Sequence, residues 1–308
     1  MFDFDAIVIG AGPGGLTAAL YLARGNISVC VIAEKIYDAQ AGLLEKIENY
    51  PGFPDGISGA ELIDAMVNQA SDYGAEFVTD EVISIKKYDE TDVGFTVKCA
   101  NGASYSAKVI IAATGSRHRK LNVPGEEEFG GRGVFYCAFC DGGDFIGKTV
   151  AVIGGGDAGV TEALYLSRIC AQVYVFEMLP ELNASAVLRD RLSDTSNISA
   201  RCSITVEEIL GTGAVSGLKI ENENGDSEVV AVDGVLVDIG LLPNTGCLSG
   251  LARLNESGRV EVDPTLSSDI PGLFAVGDIR AFSPGQIASA VGDGAAAGIA
   301  AVKRLQTM

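Results

Sequence analysis

Cys137 and Cys140 are separated by two residues in Tyr136-Cys137-Ala138-Phe139-Cys140-Asp141-Gly142-Gly143. A C-x-x-C pair is either half of a zinc site or a redox dithiol whose sulfurs can bridge. Zinc would need a second cysteine pair or histidines, and His118 is the chain's single histidine. The redox dithiol is the better reading. A nearby base or helix start can lower the pKa of one thiol in such a pair. The other cysteines, at 30, 99, 170, 202 and 247, are scattered. Most lie in apolar surroundings and read as small buried hydrophobes. His118 sits in Arg117-His118-Arg119-Lys120, where three cations make it a poor general base, and the stretch reads as a solvated basic turn. Asp141, directly after Cys140, is the nearest acid–base candidate, although aspartate also serves turns and caps.

A dithiol needs an electron supply, and the chain carries two copies of a unit suited to one. Asp5-Ala6-Ile7-Val8-Ile9 runs into Gly10-Ala11-Gly12-Pro13-Gly14-Gly15 and then Leu16-Thr17-Ala18-Ala19-Leu20-Tyr21-Leu22. Thr149-Val150-Ala151-Val152-Ile153 runs into Gly154-Gly155-Gly156-Asp157-Ala158-Gly159 and then Val160-Thr161-Glu162-Ala163-Leu164-Tyr165-Leu166. Each reads as a buried strand, a G-x-G-x-x-G turn and an apolar helix, and a second strand follows at 29–33 and at 173–176. The first glycine makes the tight bend, the second admits a pyrophosphate and the third lets helix pack on strand. The helix start adds amides and positive dipole. One such turn is a weak signal, but two in full strand–turn–helix–strand context predict two dinucleotide sites. An acid for ribose hydroxyls is expected about 20 residues after the first glycine. Glu34 and Glu177 lie 24 and 23 residues after Gly10 and Gly154. A flavin in one site, a nicotinamide in the other and the dithiol beyond them describe an electron path.

Composition agrees with this. At roughly 100–200 residues per domain, 308 residues suggest two domains. The 39 glycines exceed the roughly 22 expected at about 7% usage, which points to tight turns and close backbone approaches. Acidic residues number 41 against 22 basic ones, a net charge of −19, which disfavours a nucleic-acid binder. The start, Met1-Phe2-Asp3-Phe4-Asp5, is acidic where a signal peptide would be basic. No apolar run approaches the roughly 20 residues that cross a bilayer. The expectation is a cytoplasmic protein with neither nucleic acid nor membrane among its partners.

Taken together these residues resemble the low-molecular-weight thioredoxin reductases, over essentially the whole chain. Besides the glycine turns, the resemblance rests on Glu48-Asn49-Tyr50-Pro51-Gly52-Phe53-Pro54, Ala113-Thr114-Gly115, the stretch from Cys137 to Gly142, Ile239-Gly240-Leu241-Leu242-Pro243-Asn244-Thr245 and Phe274-Ala275-Val276-Gly277-Asp278. The larger disulfide reductases carry their cysteines early and end in a dimer-interface domain with an essential histidine, and neither feature occurs here. The peroxide-reducing flavoprotein relatives have an extra N-terminal dithiol domain, for which the chain leaves no room.

The resemblance implies an α/β protein of two Rossmann-like, three-layer ββα dinucleotide-binding domains, the second inserted into the first. Residues 1–114 and 246–308 would form a discontinuous FAD domain. Residues 115–245 would form the inserted NAD(P)-binding-like domain that carries the dithiol, with hinges near 114–116 and 243–246. By the same resemblance Gly10, Gly12, Pro13, Gly14 and Gly15 hold the FAD pyrophosphate, and Glu34 with Lys35 the adenosine ribose. Gln40 and Asn49 approach the flavin side, Thr114 and Gly115 belong to the FAD set, and Gly277 with Asp278 meets the ribityl chain. Gln286, Ile287 and Ala288 form the segment whose backbone meets the flavin ring. For Asn49 and Gln286, turn and capping chemistry is the alternative. A second dinucleotide would lie on Gly154, Gly156, Gly159 and Glu177. The implied mechanism passes electrons from the flavin to the Cys137–Cys140 disulfide, with Cys140 nearer the flavin. Cys137 then attacks the disulfide of thioredoxin or a similar small dithiol protein, Cys140 resolves the mixed disulfide, and Asp141 serves as acid–base. A homodimer and a rotating inserted domain are implied as well.

Three places depart from the family pattern. NADPH-dependent members follow the second strand of the inserted domain with His-Arg-Arg and a further arginine, whereas here the stretch reads Glu177-Met178-Leu179-Pro180-Glu181-Leu182-Asn183. Glu177 would repel a 2′-phosphate, and Arg189 and Arg191 lie further along. Losing several charge-assisted contacts of roughly 1.5–3 kcal/mol each should severely weaken NADPH. NADH fits Glu177 and ranks above reduced ferredoxin, for which Arg117, Arg119, Lys120 and Arg132 would have to supply a basic docking patch. A further flavin or adenine nucleotide in the second turn is the third possibility. The other departures are Asp38-Ala39 in place of a glycine pair before Gln40, and Gly285 in place of a basic residue before Gln286.

Overall fold

The computed structural model describes residues 2–36, 39–44, 47, 49–88 and 94–308. Asp38 and Glu48, both quoted above, lie outside the described residues. The chain divides into two compact units, Met1–Arg117 with Leu242–Met308, and His118–Leu241. The division lies three residues past the expected 114/115 junction and four residues before the expected 245/246 junction. Asn244 explains where the first unit closes. It donates from its backbone N–H to Gly115 O at 2.9 Å and from Nδ2 to Thr114 O at 3.0 Å, and it accepts on Oδ1 from Arg117 Nη1 at 2.7 Å.

The first unit is built on a seven-stranded sheet. Its strands run Glu76–Thr79, Val29–Ala33, Phe4–Ile9, Ser104–Ala112, Phe95–Cys99 and Val82–Lys87, and Leu273–Ala275 pairs with the far half of Ser104–Ala112. The first four pair in parallel, and the last two of the row are antiparallel. Phe4–Ile9 lies in register with both neighbours, Ile7 opposite Cys30 on one side and Ile110 on the other. A strand buried on both faces must be apolar throughout, and Ala6, Ile7 and Val8 are fully buried. Each isoleucine or leucine so buried contributes about 1.5–3 kcal/mol.

Helix Pro13–Arg24 packs on helix Ile287–Gln306. The second presents Asp293, Gly294, Ala297, Gly298 and Ala301 as its buried face. Small residues let the backbones approach: a Cβ on Gly294 would lie 2.2 Å from Gly14 O. This contact aims the start of Pro13–Arg24.

The second unit repeats the plan with a parallel five-stranded sheet in the order Ile198–Arg201, Gln172–Phe176, Thr149–Ile153, Gly234–Val237, Val134–Phe135. The strand expected at 173–176 begins one residue earlier. Helices Asp157–Leu166 and Ala186–Ser193 follow the strands Thr149–Ile153 and Gln172–Phe176. An antiparallel sheet of Thr205–Gly211, Val215–Glu221 and Ser227–Val230 completes the unit. In both units the strand order reverses beside the strand that feeds the glycine turn, where open α/β sheets place their ligands. Among the described residues no helix is long and apolar enough to cross a membrane, and no cluster of histidine, cysteine or acidic side chains could hold a metal ion.

Candidate functional site

In the first unit the chain leaves Phe4–Ile9 at Gly10, whose φ of 106° is open to glycine alone without strain. A Cβ there would also sit 2.3 Å from Ala113 O, at the end of the neighbouring strand. Gly15 lets the helix seat on the turn, because a Cβ would lie 2.0 Å from Gly10 O. Around Gly12 nothing lies within 4 Å of where a Cβ would be. Pro13 opens the helix, where it forfeits no bond, and no acidic residue occupies the first turn. The first-turn amides of a helix have no intrahelical acceptor. An open cradle, free amides and a positive helix end fit the pyrophosphate of a dinucleotide.

Around this cradle Glu34 and Lys35 follow strand Val29–Ala33 and are exposed. Gln40 begins the short helical turn Gln40–Leu43. Asn49 Nδ2 donates to Gln286 Oε1 at 3.2 Å. Gln286 occupies the N-cap position of Ile287–Gln306, yet its side chain makes no capping bond. Ile287 and Ala288 are the first helical residues. Thr114 Oγ1 donates to Asn244 O at 2.6 Å, and Asp278 Oδ2 accepts from Ser116 Oγ at 2.9 Å.

The Gly277–Asp278 turn is held by a residue that the motifs do not mark. Asp293 is buried; its Oδ2 accepts from Gly277 N–H at 3.0 Å and from Arg280 Nε at 2.6 Å, and its Oδ1 accepts from Arg280 Nη2 at 3.0 Å. The available signal was an aspartate on the small-residue stripe of Ile287–Gln306.

In the second unit Gly154 has φ 127°, and a Cβ would lie 2.0 Å from Asp238 O. A Cβ on Gly159 would lie 2.2 Å from Gly154 O, and Gly156 again has open space. Here the helix begins with Asp157, whose Oδ1 accepts from Ser185 N–H at 2.6 Å. Glu177, one residue past strand Gln172–Phe176, points back at the turn. Its Oε2 accepts from Gly155 N–H at 2.7 Å and its Oε1 from Leu179 N–H at 2.9 Å. Arg189 Nη1 reaches Leu182 O at 3.4 Å. Arg201, whose carbonyl accepts from Glu177 N–H, pairs with Glu228 at 2.5 Å and lies over the Phe176 ring. It is the cation near Glu177 that motif spacing missed, because it arrives from the adjacent strand.

Cys137 and Cys140 form a disulfide with Cα atoms 5.3 Å apart. Both are half-buried, Cys137 at the N-cap and Cys140 within the turn Ala138–Asp141. Phe139 packs on Tyr165 of helix Asp157–Leu166 with ring centroids 4.4 Å apart, so the dithiol is fastened to the helix that leaves the second glycine turn. Asp141 is half-buried beside Cys140. Before Cys137, Tyr136 Oη donates to Glu126 Oε1 at 2.9 Å. Glu126 is buried and also accepts from the amides of Leu121 at 3.0 Å and Asn122 at 2.7 Å. Burial, then the bond to Glu126, pushes the Tyr136 phenol well up, so it stays protonated. His118 differs from the solvated turn expected of it: it ends strand Ser116–His118, is half-buried, and its ring lies 5.1 Å from that of Tyr136. Helix Asp157–Leu166 also carries Glu162, which is half-buried and whose Oε2 has no hydrogen-bond partner. Burial, then the charge of Asp238, pushes its carboxyl up to about 8. Cys30, Cys99 and Cys170 are buried as expected, whereas Cys202 and Cys247 are half-buried.

Comparison with known proteins converges on the same chemistry. The family model for pyridine nucleotide-disulphide oxidoreductases matches residues 4–294. The thioredoxin reductase of Listeria monocytogenes is 38% identical over 307 residues, covering 99% of this chain and 95% of that protein. The thioredoxin reductase of Treponema pallidum is 39% identical over 307 residues, covering 99% of this chain and 98% of that protein. The solved thioredoxin reductase of Streptococcus pyogenes is similar with a TM-score of 0.88 at 38% identity, covering 99% of both chains.

Proposed function

The chain belongs to the pyridine nucleotide-disulphide oxidoreductase family as a flavin-dependent disulfide reductase, and from that premise we propose that it reduces thioredoxin or a similar small dithiol protein, with NADH as donor. The observation that carries this is the Cys137–Cys140 disulfide, mounted on the helix of a dinucleotide turn. The cradle of Gly10, Gly12, Gly14 and Gly15 would hold FAD, which when bound supplies two-electron storage between a hydride donor and the dithiol. Glu34, Lys35, Gln40, Asn49, Thr114, Gly115, Gly277, Asp278 and the 286–288 segment complete that set in this reading.

The reduced Cys137 thiolate attacks one sulfur of the partner's disulfide, forming a mixed disulfide and releasing a partner thiolate. Asp141 protonates that leaving group. The Cys140 thiolate then attacks Cys137 Sγ, which restores the bridge and releases the second partner thiolate. Each turn moves two electrons to the partner. A homodimer in the cytoplasm accompanies this reading through the family resemblance, and sedimentation tests the dimer.

NADH is supported by Glu177. Two backbone amides fix its carboxylate beside the glycine turn, where its remaining lone pairs can accept from a ribose diol. The same charge opposes a 2′-phosphate. Arg189 and Arg201 do not compensate, since both are turned to other acceptors.

Ferredoxin is the second reading, as donor or as the partner in nicotinamide–ferredoxin transfer without disulfide exchange. The carboxylates of Asp157 and Glu177 favour it, because they weaken the turn for any anionic dinucleotide. Against it, two of the expected docking cations in this unit are engaged, Lys120 with Glu127 at 2.7 Å and Arg132 with the Glu128 carbonyl.

The deciding experiment is anaerobic mixing of the yellow protein with NADH, NADPH and reduced ferredoxin while flavin absorbance is followed. Bleaching by micromolar NADH is expected; bleaching by NADPH instead would overturn the role given to Glu177. Cys137→Ser and Cys140→Ser should each keep the yellow complex and lose disulfide reduction. Equal ferredoxin turnover by wild type and the double-serine variant would favour the second reading.

A further inference from the structure

An aspartate has no local reason to sit in the buried face of helix Ile287–Gln306, whose other members are Gly294, Ala297, Gly298 and Ala301. Asp293 is buried there, and both of its oxygens are engaged. Oδ2 accepts from Gly277 N–H at 3.0 Å and from Arg280 Nε at 2.6 Å, and Oδ1 accepts from Arg280 Nη2 at 3.0 Å. Arg280 Nη1 in turn donates to Ala281 O at 3.0 Å, so the guanidinium is held on two sides. For stability alone, such a pair is often no better than apolar side chains of similar volume. What it supplies is a fixed geometry at the backbone it grips.

That backbone is the Gly277–Ile279 turn, entered at a φ of 69°, which glycine adopts without strain. The next side chain, Asp278, is turned so that its Oδ2 accepts from Ser116 Oγ at 2.9 Å. On the helix, the residues around Asp293 touch the first glycine turn. A Cβ on Gly14 would lie 3.1 Å from Ala290 O and 3.3 Å from Val276 Cγ2, and one on Gly294 would lie 2.2 Å from Gly14 O. A Cβ on Gly277 would lie 3.5 Å from Ala290 Cβ. Three backbones therefore meet beside one carboxylate: the glycine turn, the Gly277 turn and the helix that starts at Ile287. In the reading above these serve the pyrophosphate, the ribityl chain and the ring of one FAD.

We infer that Asp293 is a positioning residue for the flavin half of FAD: through the Gly277 amide and Arg280 it sets Asp278 where the ribityl hydroxyls need an acceptor. The inference rests on the FAD reading and deepens it. The ADP half depends on Asp293 far less, because Gly10 is seated against Ala113 O and Gly15 against Gly10 O. The carboxylate thus governs how much of the affinity for FAD comes from the ribityl and flavin part.

The full-chain holoprotein is dialysed to equilibrium and free FAD is read by its fluorescence. ADP, which shares the adenosine and pyrophosphate of FAD and lacks the rest, is then used to displace it, which yields both dissociation constants. Asp293→Asn should weaken FAD by about tenfold to a hundredfold and change the ADP constant by less than about threefold. In an Asp278→Ala background, Asp293→Asn should weaken FAD by less than about threefold, since its effect runs through Asp278. Asp293→Leu combined with Arg280→Met removes both charges together. That double variant should melt within a few degrees of wild type yet bind FAD as weakly as Asp293→Asn, and it carries the test if the single variant does not fold. Equal loss of FAD and ADP, full additivity with Asp278→Ala, or wild-type FAD affinity in the double variant overturns the inference. A wild type that binds ADP as tightly as FAD overturns the flavin reading of this site itself, and the inference with it.

Discussion

The two glycine turns share a backbone plan and differ in charge. Gly10 meets Ala113 O and Gly154 meets Asp238 O at nearly the same approach, 2.3 and 2.0 Å for a hypothetical Cβ, and each third glycine seats its helix on the first. The first turn then presents Pro13 and no acid. The second presents Asp157 at the helix start, Glu177 on the Gly155 amide and Asp238 at the end of the neighbouring strand. An anion therefore meets a turn without acids in the first unit, and in the second one with acids beside it and the Gly155 amide already taken. One motif can thus hold a resident cofactor tightly and an exchanging donor weakly, because affinity is set by side chains outside the glycine pattern.

Breaking each turn in the same way separates the two roles. Gly15→Val forces a side chain into Gly10 O and should release FAD, giving colourless protein with at least about a thousandfold weaker FAD binding, the several kcal/mol of an overpacked backbone contact. Gly159→Val makes the same clash in the second unit and should stay yellow while losing its reduction by NADH. A Gly159→Val protein that loses flavin to the same extent would erase the distinction.

The next effect is confined to the first unit. Asp293→Ala strands the Arg280 guanidinium, which is largely buried, at a cost of about 3–5 kcal/mol. Calorimetry should show the first unit melting earlier, with FAD release, and the second unchanged. A smaller effect belongs to the second unit. Glu177→Ala removes an acceptor for a ribose diol and should raise the KM for NADH roughly tenfold at about 1.4 kcal/mol, with FAD content unaltered. An unchanged KM would move the adenosine end of the donor away from Glu177.

The smallest effect concerns pH. A carboxyl whose folded pKa is raised, here to about 8 from 4.5, contributes stability that is complete below its unfolded pKa. That contribution is lost as pH rises through about 8. Glu162→Gln should therefore melt with wild type near pH 4 and a few degrees above it near pH 9, in the second unit only. A lower melting point at pH 9 would contradict the buried, proton-holding glutamate.

Much of this is legible in the amino-acid sequence. Both glycine turns, the strands on either side of them and the dithiol were visible because they depend on local geometry: which residues bend, pack in a strand or bridge across two positions. Asp293, Glu126 and Glu162 were not. Each is an acid buried by residues elsewhere in the chain, and an acid in a sequence is by default a solvated one. Glu162 and Asp293 left a trace, since both interrupt the buried stripe of an otherwise small or apolar helix. Arg201 left none, because its place near Glu177 comes from pairing of Gln172–Phe176 with Ile198–Arg201. His118 was misjudged for a related reason: its three cationic neighbours said solvent, and the Tyr136 ring that half covers it lies 18 residues on.

The order of residues alone specifies that this chain bends at Gly10 and Gly154 and bridges at the Cys137–Cys140 pair, since tight turns and short-span sulfur chemistry need no distant partner. The charge around each turn was decided in three dimensions. Glu177 found the Gly155 amide, Asp293 found Arg280, and Glu162 was carried to a place where its Oε2 is buried and the charge of Asp238 reaches it. Charge is felt through space and strengthened by burial, and both are properties of the packed chain.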